Sequence, residues 1–232
     1  MNFVTGEVLL LNKPLKWTSF DVVNKIRNAL KPQFGKLKVG HAGTLDPLAT
    51  GLLLLCTGKK TKEIDQLQAQ EKEYTGYIVL GATTPTYDSE MVPDAIYETA
   101  HITEEMIRTA TQNFIGEIQQ MPPVFSALKV GGKVAYQEAR KGKILELQPR
   151  LVSIQEFEIT KIEMPNVHFR VRCSKGTYIR SLAFDFGRSL QSGGYLGSLC
   201  RTRIGSYDLK QAWEVVNLVA RIKELAQIQT NN

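Results

Sequence analysis

Between two apolar runs of the 232-residue chain lies Gly40-His-Ala-Gly-Thr-Leu-Asp-Pro-Leu-Ala-Thr-Gly51, with one carboxylate, one imidazole and three glycines. An aspartate before proline favours a turn, and glycine supplies the positive φ angles a tight loop needs. The stretch is long for a turn alone, and its glycines would let another backbone come close. Asp46 is its one carboxylate, a group able to act as nucleophile or as base. A second candidate is Cys173-Ser-Lys-Gly-Thr-Tyr-Ile-Arg-Ser-Leu182, where a strand runs through Lys-Gly into a helix start carrying Tyr178 and Arg180. Helix N-termini disfavour cations, so an arginine in the first turn points to a specific anionic partner, and Asp46 is a candidate. The third is Lys72-Glu-Tyr-Thr-Gly-Tyr-Ile-Val-Leu-Gly81, which sets Tyr74 at a strand start, either as core or as a working aromatic.

Other chemistries lack their residues. Gly58-Lys59 is followed by Lys60 rather than Ser or Thr, so it is no P-loop. There is neither a GxGxxG fingerprint nor a G-x-S-x-G nucleophile elbow. The three histidines, His41, His101 and His168, stand apart, without a second ligand at metal-site spacing. No cofactor and no metal is therefore expected. Cys56, Cys173 and Cys200 show no CxxC spacing, and the first two, set in apolar or alternating runs, are expected as buried free thiols in a reducing compartment.

These residues need a frame. Residues 8–11 and 52–56 are continuous apolar runs and predict interior strands. Thr18 followed by Asp21 resembles a capping box, and Val22, Val23, Ile26, Ala29 and Leu30 follow at helical spacing until Pro32 is expected to stop the helix. Residues 74–80 and 151–162 have strand composition. Thr103 is expected to cap a helix with Ile107, Ala110 and Phe114 on its apolar stripe. Val167, Phe169, Val171 and Cys173 alternate with polar residues, predicting a half-buried strand with His168, Arg170 and Arg172 outward. Ile179, Leu182, Ala183, Phe186 and Leu190 mark an amphipathic helix, and residues 213–225 a last one. Residues 121–142, with Gly131-Gly132 and several lysines, predict an exposed excursion with a short helix around 136–140. Strands and helices mix without βα alternation, so the expected class is α+β with a largely antiparallel sheet, in one domain spanning 1–232.

Composition bounds the partners. Lys and Arg outnumber Asp and Glu by 29 to 23, for a net charge of +6 and a pI near 9.2, which suits a polyanion. No run approaches the about 20 apolar residues of a membrane span, and the apolar stretch at 8–11 is too short for a signal peptide. A cytoplasmic protein without membrane partners is expected, and nothing in the sequence marks an oligomer interface, so a monomer is expected.

Taken together, these segments resemble the TruB family of tRNA pseudouridine synthases. Gly6-Glu-Val-Leu-Leu-Leu-Asn-Lys-Pro14 with Thr18-Ser19 is similar to the family's first motif, and the Gly40 to Gly51 stretch to its catalytic motif. Lys72-Glu-Tyr74 and Gly81-x-x-Thr84-x-Thr86-x-Asp88 match the next two. Gln120-Met-Pro-Pro-Val-Phe-Ser-Ala-Leu-Lys129 with Tyr136 and Ala139-Arg140 resembles the RNA-gripping thumb, placed at about 117–146. Lys175-Gly-Thr-Tyr-Ile-Arg180 resembles the closing motif.

The resemblance implies a pseudouridine synthase-like fold, with a mixed, largely antiparallel sheet flanked by helices. It implies isomerisation of a uridine, position 55 in the T loop of tRNA, by breaking the N1–C1′ bond, turning the uracil and rejoining it through C5. Asp46 would be the catalytic aspartate, Tyr74 the aromatic stacked on the flipped base, and Arg180 the ion-pair partner of Asp46. His41 would brace the RNA loop, Tyr178 and Leu199 would line the pocket, and Lys129 and Lys175 would bind RNA. Nothing is oxidised and no group imported, so no cofactor is needed. A carboxylate acting at the sugar would either attack C1′ or remove a ribose proton, and the residues do not decide which.

Two positions depart from the family pattern: Phe125 where tyrosine is common, and Cys200 where an arginine often follows Leu199. No C-terminal RNA-binding domain of the PUA type is expected. The alternatives are a non-catalytic RNA-binding protein or tRNA folding chaperone, and a synthase acting on another RNA, guide-dependent or rRNA-specific. A small-sugar glycosidase would need a second carboxylate motif, and none is evident.

Overall fold

The structure, a computed structural model, describes residues 1–143 and 145–230. In chain order the first elements are β1 (Val8–Lys13), α1 (Ser19–Phe34), β2 (Val39–Ala42), β3 (Ala49–Thr57), α2 (Ile64–Ala69) and β4 (Lys72–Leu80). Then come β5 (Ala82–Thr83), β6 (Ala95–Ile96), α3 (Glu104–Ala110), β7 (Gly116–Gln120), β8 (Lys129–Val130), β9 (Lys133–Val134) and α4 (Ala135–Ala139). The last are β10 (Arg150–Glu163), β11 (Asn166–Cys173), α5 (Ile179–Ser189), β12 (Gly194–Ile204), β13 (Tyr207–Asp208), β14 (Trp213–Glu214) and α6 (Val215–Thr230). The class is α+β, and the named strand pairs are antiparallel except β1 with β14.

Two compact units result. Unit 1 joins Met1–Tyr74 to Cys200–Asn232, and unit 2 is Thr75–Leu199. The boundaries fall inside β4 and β12.

Unit 1 is built around β3. Strand β1 pairs along one edge, from Val8 opposite Cys56 to Lys13 opposite Gly51, and β2 pairs Leu54 to Thr57 on the other. Both faces of β3 are buried. Leu53 and Leu55 pack with Leu9 and Leu11 of β1, Val22, Val23, Ile26 and Leu30 of α1, and Val215, Leu218 and Ile222 of α6. Leu52, Leu54 and Cys56 pack on the opposite face with Leu67 and Ile204. A strand buried on both faces has no polar positions to alternate, which explains its continuous apolar run. Burial also pushes the Cys56 thiol up to about 11.

Helix α1 starts as expected. Thr18 Oγ1 accepts from the Asp21 N–H at 3.0 Å, and the Asp21 carboxylate accepts from the Thr18 N–H at 2.8 Å. Its end differs from the expectation. Pro32 lies inside the helix, which runs on to Phe34 and closes at Gly35, whose N–H donates to Lys31 O. Pro32 lacks the N–H that would bond Asn28 O, so it removes one bond of the ladder, and the chain after it still completes the last turn to the Gly35–Lys31 bond. The last helix begins at Val215, because Trp213 and Glu214 pair as β14 in parallel with Leu11 and Asn12. Two residues carry no period, so this short edge strand leaves no sequence signal.

Within unit 2 the strand order is β4-β11-β10-β7. Strand β11 alternates as expected, with Val167, Phe169, Val171 and Cys173 buried. Its outward Arg170 pairs with Glu156 and Glu158 across the strands, and Arg172 with Glu156, so that face is an ion-pair ladder. Phe157 meets Phe114, Phe169 and, from α5, Phe186 edge to face, and Phe114 and Phe186 meet at a tilt. A Cβ on Gly187 would lie 2.3 Å from Gly194 N, so only glycine lets α5 sit directly on the start of β12. Thr103 caps α3 through the Met106 N–H, as expected.

Candidate active site

Asp46 stands exposed on the loop between β2 and β3, and the main chain on either side of it is held by buried polar groups. The Asp46 carbonyl accepts from the Ala49 N–H at 3.0 Å, closing a turn with Pro47 at its second position. Before the aspartate, buried Ser19 donates to Leu45 O at 3.1 Å and accepts from the Leu45 N–H at 2.8 Å. After it, Pro47 O accepts from the Lys16 N–H at 2.8 Å and from Lys13 Nζ at 3.4 Å.

Lys13 is 0% exposed, and its ammonium also donates to Pro14 O at 2.9 Å and Trp17 O at 2.6 Å. Burial pulls its pKa down to about 8; the Asp46 and Asp21 carboxylates oppose that fall, and the Arg201 guanidinium adds to it. A charge of this kind is tolerated where carbonyls surround it and a carboxylate is near. His41, on β2, lies within 3.0 Å of Thr44 Oγ1 through Nε2. Burial, then the nearby Arg201 charge, lowers its pKa, favouring the neutral imidazole.

Arg201, 1% exposed, comes from β12 and spans the loop: Nε donates to Leu52 O at 2.8 Å and Nη2 to Gly43 O at 2.9 Å. Tyr74 ends the unit 1 part of β4 and is buried, at 9% exposure. Lys72, two residues before it, is tied by its ammonium to Gln68 O in the last turn of α2 and to Gln70 O at its C-cap, which fixes the entry to the strand.

In unit 2, Arg180 lies buried in the first turn of α5. Its guanidinium donates to Thr86 O and Phe125 O, both at 3.1 Å, and its Nε lies 3.6 Å from the Asp88 carboxylate. Thr86 Oγ1 and the Glu90 N–H hold Asp88 Oδ1, at 2.7 and 2.9 Å. Asp88 is thus an anionic neighbour that offsets the unfavourable place of a cation at a helix start. Tyr178 caps the same helix, tied through both main-chain groups to Gln120, by bonds of 2.8 and 3.1 Å. Lys175 is exposed on the turn before it, and Leu199 is half-buried on β12.

Lys129 is exposed on β8, part of a hairpin whose turn is Gly131-Gly132. Residues 129–133 are exposed or nearly so, and α4 follows at Ala135–Ala139. The hairpin's base is tied down: Ala135 N–H donates to Leu128 O at 2.8 Å, Tyr136 N–H to Ser126 O at 2.9 Å, and Ser181 Oγ to Met121 O at 2.7 Å.

The structure thus places His41 and Asp46 on one strand-and-loop segment, and Tyr178 and Arg180 on one helix start. Asp46, His41 and Tyr74 belong to unit 1; Lys129, Lys175, Tyr178, Arg180 and Leu199 belong to unit 2. Ser19, Lys13, Arg201 and Asp88 were not singled out from sequence. Asp88 had one signal, the alternation Thr84-x-Thr86-x-Asp88; Lys13 and Ser19 stood in the first family-like motif without an assigned role, and Arg201, whose carbonyl partners lie far away in the chain, carried no signal. Among the described residues no group of three or more His, Cys, Asp or Glu is placed to hold a metal ion.

The profile of the TruB family pseudouridylate synthases (N terminal domain) matches residues 27–179. The chain belongs to the TruB family. A TruB relative from Flavobacterium johnsoniae, a tRNA pseudouridine synthase B, is 54% identical over 216 residues, covering 92% of this chain and 94% of that protein. The protein of the same name from Chlorobaculum tepidum is 48% identical, covering 96% and 93%. Among solved structures, an H/ACA RNP bound to a substrate RNA containing 2'-deoxyuridine aligns with a TM-score of 0.67 at 28% identity. A Cbf5-Nop10-Gar1 complex aligns with a TM-score of 0.69 at 29% identity. The TruB chain described here covers 92% of itself in both, but only 52% and 53% of those longer chains.

Proposed function

We propose that the chain isomerises a uridine of tRNA to pseudouridine, at position 55 in the T loop, with the Asp46 carboxylate as the acting group. The observation that carries this reading is the loop of residues 43–48. It leaves one exposed carboxylate on main chain held at Gly43, Leu45 and Pro47, inside the segment that most resembles the family's catalytic motif. A group held in advance spends little of its reaction free energy on being oriented.

Tyr74 supplies the π-face for the extracted base. Stacking on an aromatic is worth about 1–3 kcal/mol per base, against an unstacking cost of a few kcal/mol. Arg180 is the cation of the reaction, expected to pair with Asp46. His41, Tyr178, Leu199, Lys129 and Lys175 serve RNA binding. The basic balance of 29 to 23 supports a phosphate-binding surface with salt-dependent affinity. Among the described residues no helix is long and apolar enough to cross a membrane. A cytoplasmic monomer acting on the T arm without cofactor fits this reading.

The test is tritium release from unmodified tRNA transcript labelled with [5-³H]uridine. Release by the natural chain and none by Asp46→Asn, with RNA affinity intact, is the expected result. Tight binding without release by either chain would leave RNA binding, or a different RNA substrate, as the function.

A further inference from the structure

We propose that Arg201 is a positioning residue for Asp46, acting through the main chain of the loop without touching RNA. This rests on the reading of Asp46 as the acting carboxylate. One guanidinium reaches both ends of the segment: Gly43, three residues before Asp46, and Leu52, six residues after it, each through its carbonyl at 2.9 and 2.8 Å. The contact is sealed from the strand side as well. A Cβ on Gly51, which has a φ of +101°, would lie 2.4 Å from Arg201 O and 2.7 Å from Arg201 N. The peptide of residue 201 thus lies against the chain where the loop re-enters β3, while its side chain holds the place where the loop leaves β2.

The residue type matters. A planar guanidinium presents donors along two edges in a fixed fork, so it spans two carbonyls at once. A lysine ammonium gathers its three donors at one point and lacks that fixed fork, so it does not hold two separated carbonyls in one geometry. Arg201 is 1% exposed, so water does not substitute for it readily. Ser19 and Lys13 grip the loop between these two ends, at Leu45 and Pro47. Removing Arg201 releases the frame within which those inner contacts work, and Asp46 moves with it.

The test compares Arg201→Lys, Arg201→Met and Gly51→Ala with the natural chain and with Arg221→Gln. The last loses an exposed charge on α6 and serves as control. Single-turnover tritium release is measured with enzyme in excess, beside tRNA affinity and the titration of His41 by NMR. The Lys and Met variants and Gly51→Ala are expected to lose on the order of 100-fold in single-turnover rate. Affinity should stay within about threefold. In Arg201→Met, His41 should titrate higher as the neighbouring charge is lost, and in Arg201→Lys it should not, which shows a folded loop still beside position 201.

A variant that loses rate and affinity in equal measure would make Arg201 a structural residue only and overturn the proposal. So would an Arg201→Met that keeps its rate. If Arg201→Met does not fold, Gly51→Ala decides: full rate in a folded Gly51→Ala chain overturns the proposal. No release by the natural chain would refute the assigned reaction itself. Release that needs Asp46 but tolerates every Arg201 and Gly51 variant refutes this inference alone.

Discussion

The loop of residues 43–48 and the hairpin of residues 128–135 are both short excursions between strands, yet they are held in opposite ways. The first is gripped by three buried side chains, Ser19, Lys13 and Arg201, all directed at main-chain groups. The second is bonded at its base, while its tip of Lys129 to Lys133 faces solvent; Arg140 of the same excursion reaches Glu90 through an exposed pair at 2.8 Å. A buried polar contact is costly to break, and an exposed ion pair contributes little. The comparison teaches that buried polar contacts are concentrated around the loop proposed to carry the reacting group, and exposed charge on the hairpin proposed to meet RNA.

Breaking the gripped loop at its functional end should have the largest effect. Asp46→Asn keeps shape and volume, and we expect it to lower tritium release by on the order of 10³–10⁴-fold with unchanged thermal stability. Next comes Ser19→Ala, which strands the Leu45 N–H and carbonyl inside the protein. It should cost about 1–3 kcal/mol in urea unfolding and slow turnover. The same variant with normal stability and rate would dissolve the contrast between the two regions.

Lys13 sharpens the comparison by pH. Its folded pKa, about 8, lies below its ordinary 10.5, so between those values the unfolded chain holds the proton that the folded chain has released. Stability from this group therefore rises with pH across that window. Urea midpoints of the natural chain, relative to Lys13→Met, should climb from pH 8 to pH 10.5; a flat difference would mean that the lysine is not desolvated.

On the compliant side, Lys129→Gln should weaken tRNA binding with little change in single-turnover rate, and reduce the salt dependence by roughly one counterion. The smallest effect is expected for Glu90→Gln, whose exposed pair with Arg140 should be worth about 1 kcal/mol or less in stability. A large loss there would show the hairpin to be gripped after all.

Much of this was legible in the residues. The cap of α1 could be read because Thr18 and Asp21 lie three apart, and the burial of β11 because its period is two. The loop around Asp46 could be found because glycines, proline and a carboxylate crowd between apolar runs. Its grip could not. Arg201 meets Gly43 across 158 positions and Ser19 meets Leu45 across 26, and no local pattern encodes a side chain that bonds a distant carbonyl. Pro32 misled for a related reason: a proline stops a helix by what it removes, and here it removes one bond while the chain still completes its last turn. The role of Asp88 was visible only as alternation, since its partner Arg180 lies far along the chain.

Unit 1 draws on both ends of the polypeptide: β14 pairs with β1, α6 packs on α1, and Arg201 holds the loop that carries Asp46. During synthesis, then, the first 74 residues leave the ribosome without the strand and helix that complete their core. Unit 2 can assemble in that interval, since its own strands and α5 are already made. The loop that carries Asp46 gains its Arg201 contacts only when residues from about 200 onward arrive. A chain interrupted before residue 200 would therefore carry the residues of unit 2 but leave the loop of Asp46 without its Arg201 contacts, so that order at this loop waits on synthesis of a distant segment.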